Sequence, residues 1–110
     1  MNATENIALH EALSRMWAKF LPEMEERVAI LETAAAAFAA NTLAGYQKQA
    51  AHSAAHKLAG VLGTFDLTRG TVLARELEMI YSQENGPDPV LAPRLASIAA
   101  ELRAIVASRV

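Results

Sequence analysis

The chain of 110 residues carries 10 Lys and Arg against 12 Asp and Glu, for a formal net charge of −2. This near balance provides no basic surface for nucleic acid or anionic lipid, and the absence of cysteine excludes disulfides, zinc–thiolate sites and thiol nucleophiles. A chain of this length can bury one core, so we expect a single domain over residues 1–110.

Alanine and leucine dominate the apolar residues, which make up 53 % of the chain, whereas aromatic residues make up only 5 %. This composition favours helices and predicts an all-α fold. The N-terminal sequence MNATENIALHEAL has no basic segment followed by an uninterrupted apolar run, and no run elsewhere approaches the length of a membrane span. We therefore expect a cytoplasmic protein that binds neither a membrane nor nucleic acid.

The first helical region is marked by apolar residues that recur mainly at steps of three and four. They are Leu9, Leu13, Met16, Trp17, Phe20, Met24, Val28, Leu31, Ala35 and Phe38. Pro22 lies inside this run, which is compatible with one long helix, kinked there, or with a second helix that starts at the proline. Asn41 and Thr42 are suited to end this region and to start the next.

Two further helices are predicted over residues 42–62 and 68–81. The GTFDL segment between them is short enough to require a tight antiparallel hairpin, in which Phe65 and Leu67 are expected to pack onto the bundle. The buried edge of the later helix is predicted to comprise Val72, Leu73, Leu77 and Ile80.

The last helix follows the turn-rich segment SQENGPDP. Asp88 is suited to cap it with Pro89 in its first turn, whereas Pro93 marks an alternative start. Its apolar stripe is formed by Leu95, Ile98, Leu102, Ile105 and Val106. Four amphipathic helices with short connections predict an antiparallel four-helix bundle, with each stripe turned inward.

The helix over residues 42–62 carries a polar stripe centred on His56. At about 100° per residue, the side opposite His56 is apolar, so this histidine is predicted to face water. The apolar side comprises Leu43, Ala51, Ala54, Leu58 and Val61, whereas Gln49, His52, Gly60 and Gly63 lie within about 40° of His56. Glycine inside a helix costs about 1 kcal/mol relative to alanine, so two glycines on one side indicate that a partner approaches closely.

The chemistry that suits this stripe is phosphoryl transfer. Neutral imidazole is nucleophilic near neutral pH without a dedicated base, so His56 is the predicted nucleophile. Lys57 lies about 100° round the helix and Lys48 about 80° the other way, and each is long enough to reach a phosphoryl group there. Gln49 and His52 are assigned to the surrounding docking surface, where Gln49 either contacts the imidazole or is solvated.

The segment HKLAGVLGTFDL, residues 56–67, followed by LARELE, residues 73–78, resembles the histidine-containing phosphotransfer (HPt) domains of two-component phosphorelays. Four residues match the signature of that family, namely His56, Leu58, Gly60 and Gly63. Ala59 stands where relatives carry a basic residue, and Lys57 is a weaker substitute for it. Asp66 stands where many relatives have glycine, and aspartate tolerates left-handed backbone better than most residues.

The resemblance implies a four-helix bundle with His56 as the exposed phosphoacceptor. It implies a phosphocarrier without kinase activity of its own, which exchanges phosphoryl groups with response-regulator receiver domains and works with a hybrid sensor histidine kinase. Mg²⁺ would belong to the receiver domain, so we expect no cofactor on this chain, and we expect a monomer.

Two other classes of function fit parts of the same pattern. A helical interaction module or homodimer would use the small residues of the His52 and Gly60 face for helix packing without chemistry. A metalloprotein would use His52 and His56, four residues apart, but the chain lacks the HExxH acid and the Glu-x-x-His pairs of such sites. Arg69 and Arg75 are predicted to be solvated, with contact to an acidic partner as the alternative.

Overall fold

The computed structural model describes residues 3–109, and this part of the chain is helical without any strand. The helices are α1 (Ala3–Ala39), α2 (Gly45–Thr64), α3 (Thr68–Tyr81) and α4 (Ala92–Ser108), with a short 3₁₀ turn at Pro89–Leu91 before α4. They pack as an antiparallel four-helix bundle, which confirms the predicted all-α class. None of these helices combines the length and the apolar character that crossing a membrane requires.

The α1 helix continues through Pro22 without a break, so of the two alternatives left open by the sequence the single long helix is the one observed. Proline removes one helical N–H donor, which leaves the carbonyl oxygen of Ala18 without its usual partner. Both Pro22 and Ala18 are exposed, so water can hydrate this oxygen.

The first part of α1 lies beyond the core of the bundle. The molecule is 53 Å long, close to the length of about 55 Å expected for this 37-residue helix at about 1.5 Å per residue, whereas the other helices are much shorter. Leu9 and Met16 are therefore 49 % and 41 % exposed, and their predicted burial is wrong. The buried residues of α1 begin at Trp17.

The core is built from aliphatic side chains with one aromatic cluster. Trp17 and Phe65 pack edge to face with ring centroids 5.1 Å apart, and the guanidinium of Arg109 lies 5.0 Å from the centroid of each ring. Phe65 is buried and Leu67 is half-buried, which confirms that they pack the hairpin onto the bundle. Tyr81 is fully buried with no hydrogen-bond partner for its hydroxyl among residues 3–109, and burial raises the pKa of Tyr81 to about 12.

The start of α2 lies at Gly45, three residues later than predicted. Asn41 adopts a left-handed φ of 58° that ends α1, and the following residues are not helical. The backbone N–H of Ala44, the residue before α2, donates to Oε1 of Gln47 at 2.8 Å. This side-chain acceptor satisfies a donor at the helix start, whereas Thr42, expected to begin the helix, lies before it.

The α2–α3 hairpin brings its two helices very close together at Gly70. A Cβ atom built on Gly70 would lie 2.9 Å from Cδ1 of Leu62 and 3.4 Å from Cγ2 of Ile105. Asp66 in the turn has a φ of 57°, which confirms that aspartate sustains the left-handed conformation there. The observed bounds of α3 agree with those predicted from the sequence.

Val72 does not belong to the buried edge of α3, because its side chain is 54 % exposed. The helix turns a different face inward, with Leu73 and Leu77 as predicted and Ile80 half-buried. The buried residues are Gly70, Leu73, Ala74, Leu77 and Tyr81. Val72 lies about 100° from Leu73 on this helix, so both residues cannot occupy the centre of the inward face.

The start of α4 combines both predicted signals. Asp88 accepts a hydrogen bond from the N–H of Val90 at 3.0 Å and caps the 3₁₀ turn that contains Pro89. The α-helix itself begins at Ala92 with Pro93 in its first turn, where the missing donor costs least. The predicted stripe faces inward, with Leu95, Ile98, Leu102 and Val106 buried and Ile105 half-buried.

Three arginine–glutamate pairs tie α4 to its neighbours. Arg103 bonds Glu32 of α1 at 2.6 Å, Arg94 bonds Glu76 of α3 at 2.7 Å, and Arg69 of α3 bonds Glu101 at 2.7 Å. Hydrogen bonds from the arginines lower the pKa of all three carboxyl groups. The pairs therefore contribute stability above the ordinary carboxyl pKa and lose it as the pH falls through the lowered values.

Candidate functional site

His56 lies near the middle of α2, and its side chain is 65 % exposed. The side of the helix that faces the bundle is buried and rich in alanine, and comprises Ala51, Ala54, Ala55, Leu58, Ala59 and Leu62. These small side chains let α2 sit close to the bundle, so the backbone beneath His56 is held by packing. Ala51, Ala54 and Leu58 are buried as predicted, while Leu43 and Val61 are half-buried.

The imidazole of His56 is oriented by a carboxylate from the neighbouring helix. Its Nδ1 lies 2.7 Å from Oε2 of Glu78 on α3. A carboxylate oxygen can only accept, so Nδ1 carries a proton and donates it, and in the neutral ring the lone pair remains on Nε2. The carboxylate thus favours the tautomer in which Nε2 keeps its lone pair.

Glu78 has a second charged neighbour on its own helix. Its Oε1 lies 3.7 Å from Nη1 of Arg75, one turn earlier on α3. The imidazole and the guanidinium therefore share one carboxylate, although the arginine contact is longer than a hydrogen bond. Sequence reasoning assigned no role to Glu78 and treated Arg75 as a solvated charge.

The remaining predicted residues of this surface lie on the same outward side of α2. Gln49, Gly60 and Gly63 are exposed, and His52 is half-buried. A Cβ atom at Gly60 would meet nothing within 4 Å, and one at Gly63 would meet only Thr71 Oγ1 at 3.8 Å. Packing within residues 3–109 therefore does not require these glycines, in contrast to Gly70.

The two predicted lysines diverge from His56. Lys57 lines a groove between α1 and α2 together with Glu23 and Glu26, on the side of α2 away from Glu78. Lys48 lines a second groove with Glu84, beside the loops at one end of the bundle. Neither lysine forms an ion pair with any residue in the described range 3–109.

Ala59 is only 1 % exposed. The position at which HPt relatives carry a basic residue is therefore covered by the bundle in this chain. A cation that neutralises negative charge at His56 has to come from elsewhere.

Two exposed apolar side chains continue the surface onto α3. Val72 and Met79 are 54 % and 69 % exposed, and they flank Arg75 at spacings of three and four residues, so they share one side of the helix. This apolar patch was not predicted, because Val72 had been assigned to the core.

The alternative of a metal site concerned His52 and His56. Within residues 3–109, no group of three or more His, Asp or Glu side chains is placed to hold a metal ion. Glu78 lies beside His56, but His52, His56 and Glu78 are not arranged as such a group.

A helical bundle that presents an exposed, carboxylate-bonded histidine from the middle of one helix has the architecture of a histidine phosphotransfer protein. The Hpt domain family model matches residues 15–108, and the chain belongs to this family. Members of the family act in histidine phosphotransfer within phosphorelays, as phosphocarriers without kinase activity, and interact with receiver domains and kinases.

The chain is also similar to protein RcaC from Microchaete diplosiphon, with 31 % identity over 91 residues. The similarity covers 83 % of this chain but 14 % of RcaC, so the chain corresponds to a small part of that protein. No solved structure matches the chain.

Proposed function

We propose that residues 1–110 form a single phosphotransfer domain in which Nε2 of His56 accepts a phosphoryl group from a receiver-domain phosphoaspartate and passes it to the aspartate of another receiver. The observation that carries this proposal is the bond between His56 Nδ1 and Glu78, which leaves the lone pair of this largely exposed imidazole on Nε2. Family membership supports the reaction class.

The transfer step uses the lone pair on Nε2. This nitrogen attacks phosphorus, the bond between phosphorus and the aspartyl oxygen breaks, and the aspartate leaves as a carboxylate. The proton on Nδ1 stays in place, so the phosphorylated ring becomes positively charged, and the carboxylate of Glu78 at 2.7 Å stabilises this charge. In the onward step an aspartate oxygen attacks phosphorus, and the electron pair of the N–P bond returns to Nε2.

The chain contributes the nucleophile and the docking surface in this scheme. Gly60 and Gly63 leave α2 bare beside His56, Gln49 and His52 extend the polar part of the surface, and α3 adds an apolar patch. We assign Mg²⁺ to the receiver domain and no cofactor and no kinase activity to this chain. A monomer in the cytoplasm, with a hybrid sensor histidine kinase in the same relay, completes the proposal.

The proposal is tested by incubating the purified chain with a ³²P-labelled receiver domain. We expect label on this chain that is lost in acid and retained in base, as a phosphoramidate behaves. If no label is transferred and the chain is instead a stable dimer whose interface contains Gly60, the interaction-module function replaces the proposal.

Replacing Glu78 with Gln is expected to slow transfer to His56. The substitution keeps a hydrogen-bond acceptor for Nδ1 but removes the charge that stabilises the phosphorylated ring. A hydrogen bond to a charged group contributes about 1.5–3 kcal/mol, and Glu78 is only partly shielded from water, so we expect about a tenfold lower rate constant. Rapid-quench measurement of label transfer checks this value. Glu84→Gln, in an exposed loop, is the control, and equal rates for the two variants would contradict the role of Glu78.

Substitutions at Gly60 separate the stability of the helix from access to His56. Gly60→Ala is expected to raise the free energy of unfolding by about 1 kcal/mol, because alanine is the better helix former and its Cβ has free space. Gly60→Gln is expected to slow transfer by obstructing the receiver. Denaturant unfolding and rapid-quench transfer measure the two effects.

Gly70→Ala is the matched control for stability. It gains the same helix propensity, but its Cβ would lie 2.9 Å from Leu62 Cδ1, and overpacking of this kind costs about 1–3 kcal/mol. We expect Gly70→Ala to be less stable than Gly60→Ala and to transfer normally. Wild-type transfer by Gly60→Gln would show that the receiver does not approach α2 closely.

A further inference from the structure

A phosphoryl group on His56 needs a cation that the sequence does not supply at the usual place. The added group carries about two negative charges near neutral pH, while Ala59 is covered by the bundle and Lys57 lies beside the acidic residues of α1. The imidazole of His56 is therefore oriented, but α2 places no cation where it could neutralise the phosphoryl group.

The register of the α2–α3 hairpin places Arg75 level with Ala59. A Cβ atom built on Gly63 would lie 3.8 Å from Thr71 Oγ1, and Nδ1 of His56 lies 2.7 Å from Oε2 of Glu78. Gly63 follows His56 by seven residues on α2, and Thr71 precedes Glu78 by seven residues on α3. Both pairs therefore belong to the same antiparallel register. Ala59 follows His56 by three residues on α2, and Arg75 precedes Glu78 by three residues on α3. In this register the two residues lie at the same level. The neighbouring helix thus presents a cation at the level where α2 has alanine.

The Arg75 side chain is exposed and is only loosely held by Glu78. The Arg75 side chain is 61 % exposed, and its contact with Glu78 at 3.7 Å is too long to be a hydrogen bond. Gly60 follows Ala59 and leaves the surface bare, since nothing lies within 4 Å of its Cβ position. The guanidinium can therefore leave Glu78 without breaking a hydrogen bond.

We propose that Arg75 binds the phosphoryl oxygens on His56 and replaces the missing basic residue of α2. The inference rests on the proposed phosphotransfer at His56. On phosphorylation, Glu78 remains bonded to Nδ1, while the guanidinium turns from Glu78 to the phosphoryl oxygens. Arginine suits this task because its planar fork of donors can bind two oxygens of one phosphate at once. Lys57 and Lys48 line separate grooves away from Glu78 and take no part in binding the phosphoryl oxygens.

The test compares label at equilibrium for wild type, Arg75→Ala, Arg75→Lys, Lys57→Ala and Lys48→Ala, each mixed with one labelled receiver at concentrations too low for a stable complex. Arg75→Ala is expected to lower the ratio of phosphohistidine to phosphoaspartate by roughly tenfold at low salt. The loss is expected to shrink as salt rises, Arg75→Lys is expected to restore part of it, and both lysine variants are expected to stay within about twofold of wild type.

A titration followed by ³¹P NMR distinguishes direct contact from an indirect effect through Glu78. Direct contact by a cation favours the doubly ionised phosphoryl group, so Arg75→Ala is expected to raise the phosphoryl pKa on His56, whereas Lys57→Ala leaves it unchanged. An unchanged equilibrium and titration in Arg75→Ala, or a loss confined to Lys57→Ala, would overturn the assignment of Arg75. Absence of label on the wild-type chain would instead remove the proposed function itself.

Discussion

Replacing His56 with Gln is expected to abolish phosphoryl transfer to this chain while leaving its fold intact. Glutamine has no nucleophilic nitrogen, so no phosphoramidate can form. The side chain is largely exposed, and exposed substitutions away from caps change the free energy of unfolding by about 0.5 kcal/mol or less. Losing the hydrogen bond to Glu78 adds about 1 kcal/mol. Label transfer and denaturant unfolding, measured on the same preparation, check both parts.

His52→Gln is the matched control, one turn earlier on the same side of α2. This variant is expected to accept label at His56, with at most a moderate change in rate, because His52 belongs to the docking surface. Label that persists in His56→Gln and disappears in His52→Gln would move the phosphoacceptor to His52.

Leu58→Ala is expected to destabilise the bundle strongly. Leu58 is completely buried on the side of α2 opposite His56, and truncating a buried leucine to alanine costs about 2–5 kcal/mol. That loss is a large part of the total stability of a small domain, about 5–15 kcal/mol. Urea unfolding of the variant and of wild type gives the difference, and exposed Lys57→Ala is the control for helix propensity.

The Leu58→Ala variant also separates folding from chemistry. Under conditions where it remains fully folded, the rate of transfer to His56 is expected to stay near that of wild type, because Leu58 touches neither the imidazole nor the docking surface. A change in unfolding free energy below about 0.5 kcal/mol would contradict the observed burial of α2.

Much of the bundle could be predicted from local signals. The spacing of the apolar residues predicted α3 with its observed first and last residues. The short GTFDL segment predicted that α2 and α3 form an antiparallel hairpin. The projection of α2 identified His56 as exposed and Leu58 as buried. This succeeded because the apolar residues of a helix show by themselves which of its sides is buried. Asp66 was correctly expected to sustain the turn.

The predictions failed where the answer depends on other helices. Leu9 and Met16 continue the apolar period of α1, but the shorter helices do not cover that end, and no property of α1 itself reveals where its partners stop. Val72 is a valine beside Leu73, and only the rotation of α3 against α2 decides which of the two is buried.

Glu78 was missed because its role arises from the pairing of two helices. A signal was nevertheless present, since His56 and Glu78 are each eleven residues from Leu67 in the turn, and an antiparallel hairpin brings equidistant residues together. The same count places Arg75 opposite Ala59. Counting outward from the turn predicts such pairs whenever the hairpin is tight, although it does not show which side chains point toward each other.

The most direct measurement of the central claim is the NMR spectrum of the phosphorylated chain with ¹⁵N-labelled histidine. The bond between Nδ1 and Glu78 leaves Nε2 as the attacking atom, so we predict one phosphohistidine, at His56, with phosphorus coupled to Nε2 and with a proton retained on Nδ1. Phosphorus coupled to Nδ1 of His56, or found on His52 or on an oxygen atom, would contradict the account.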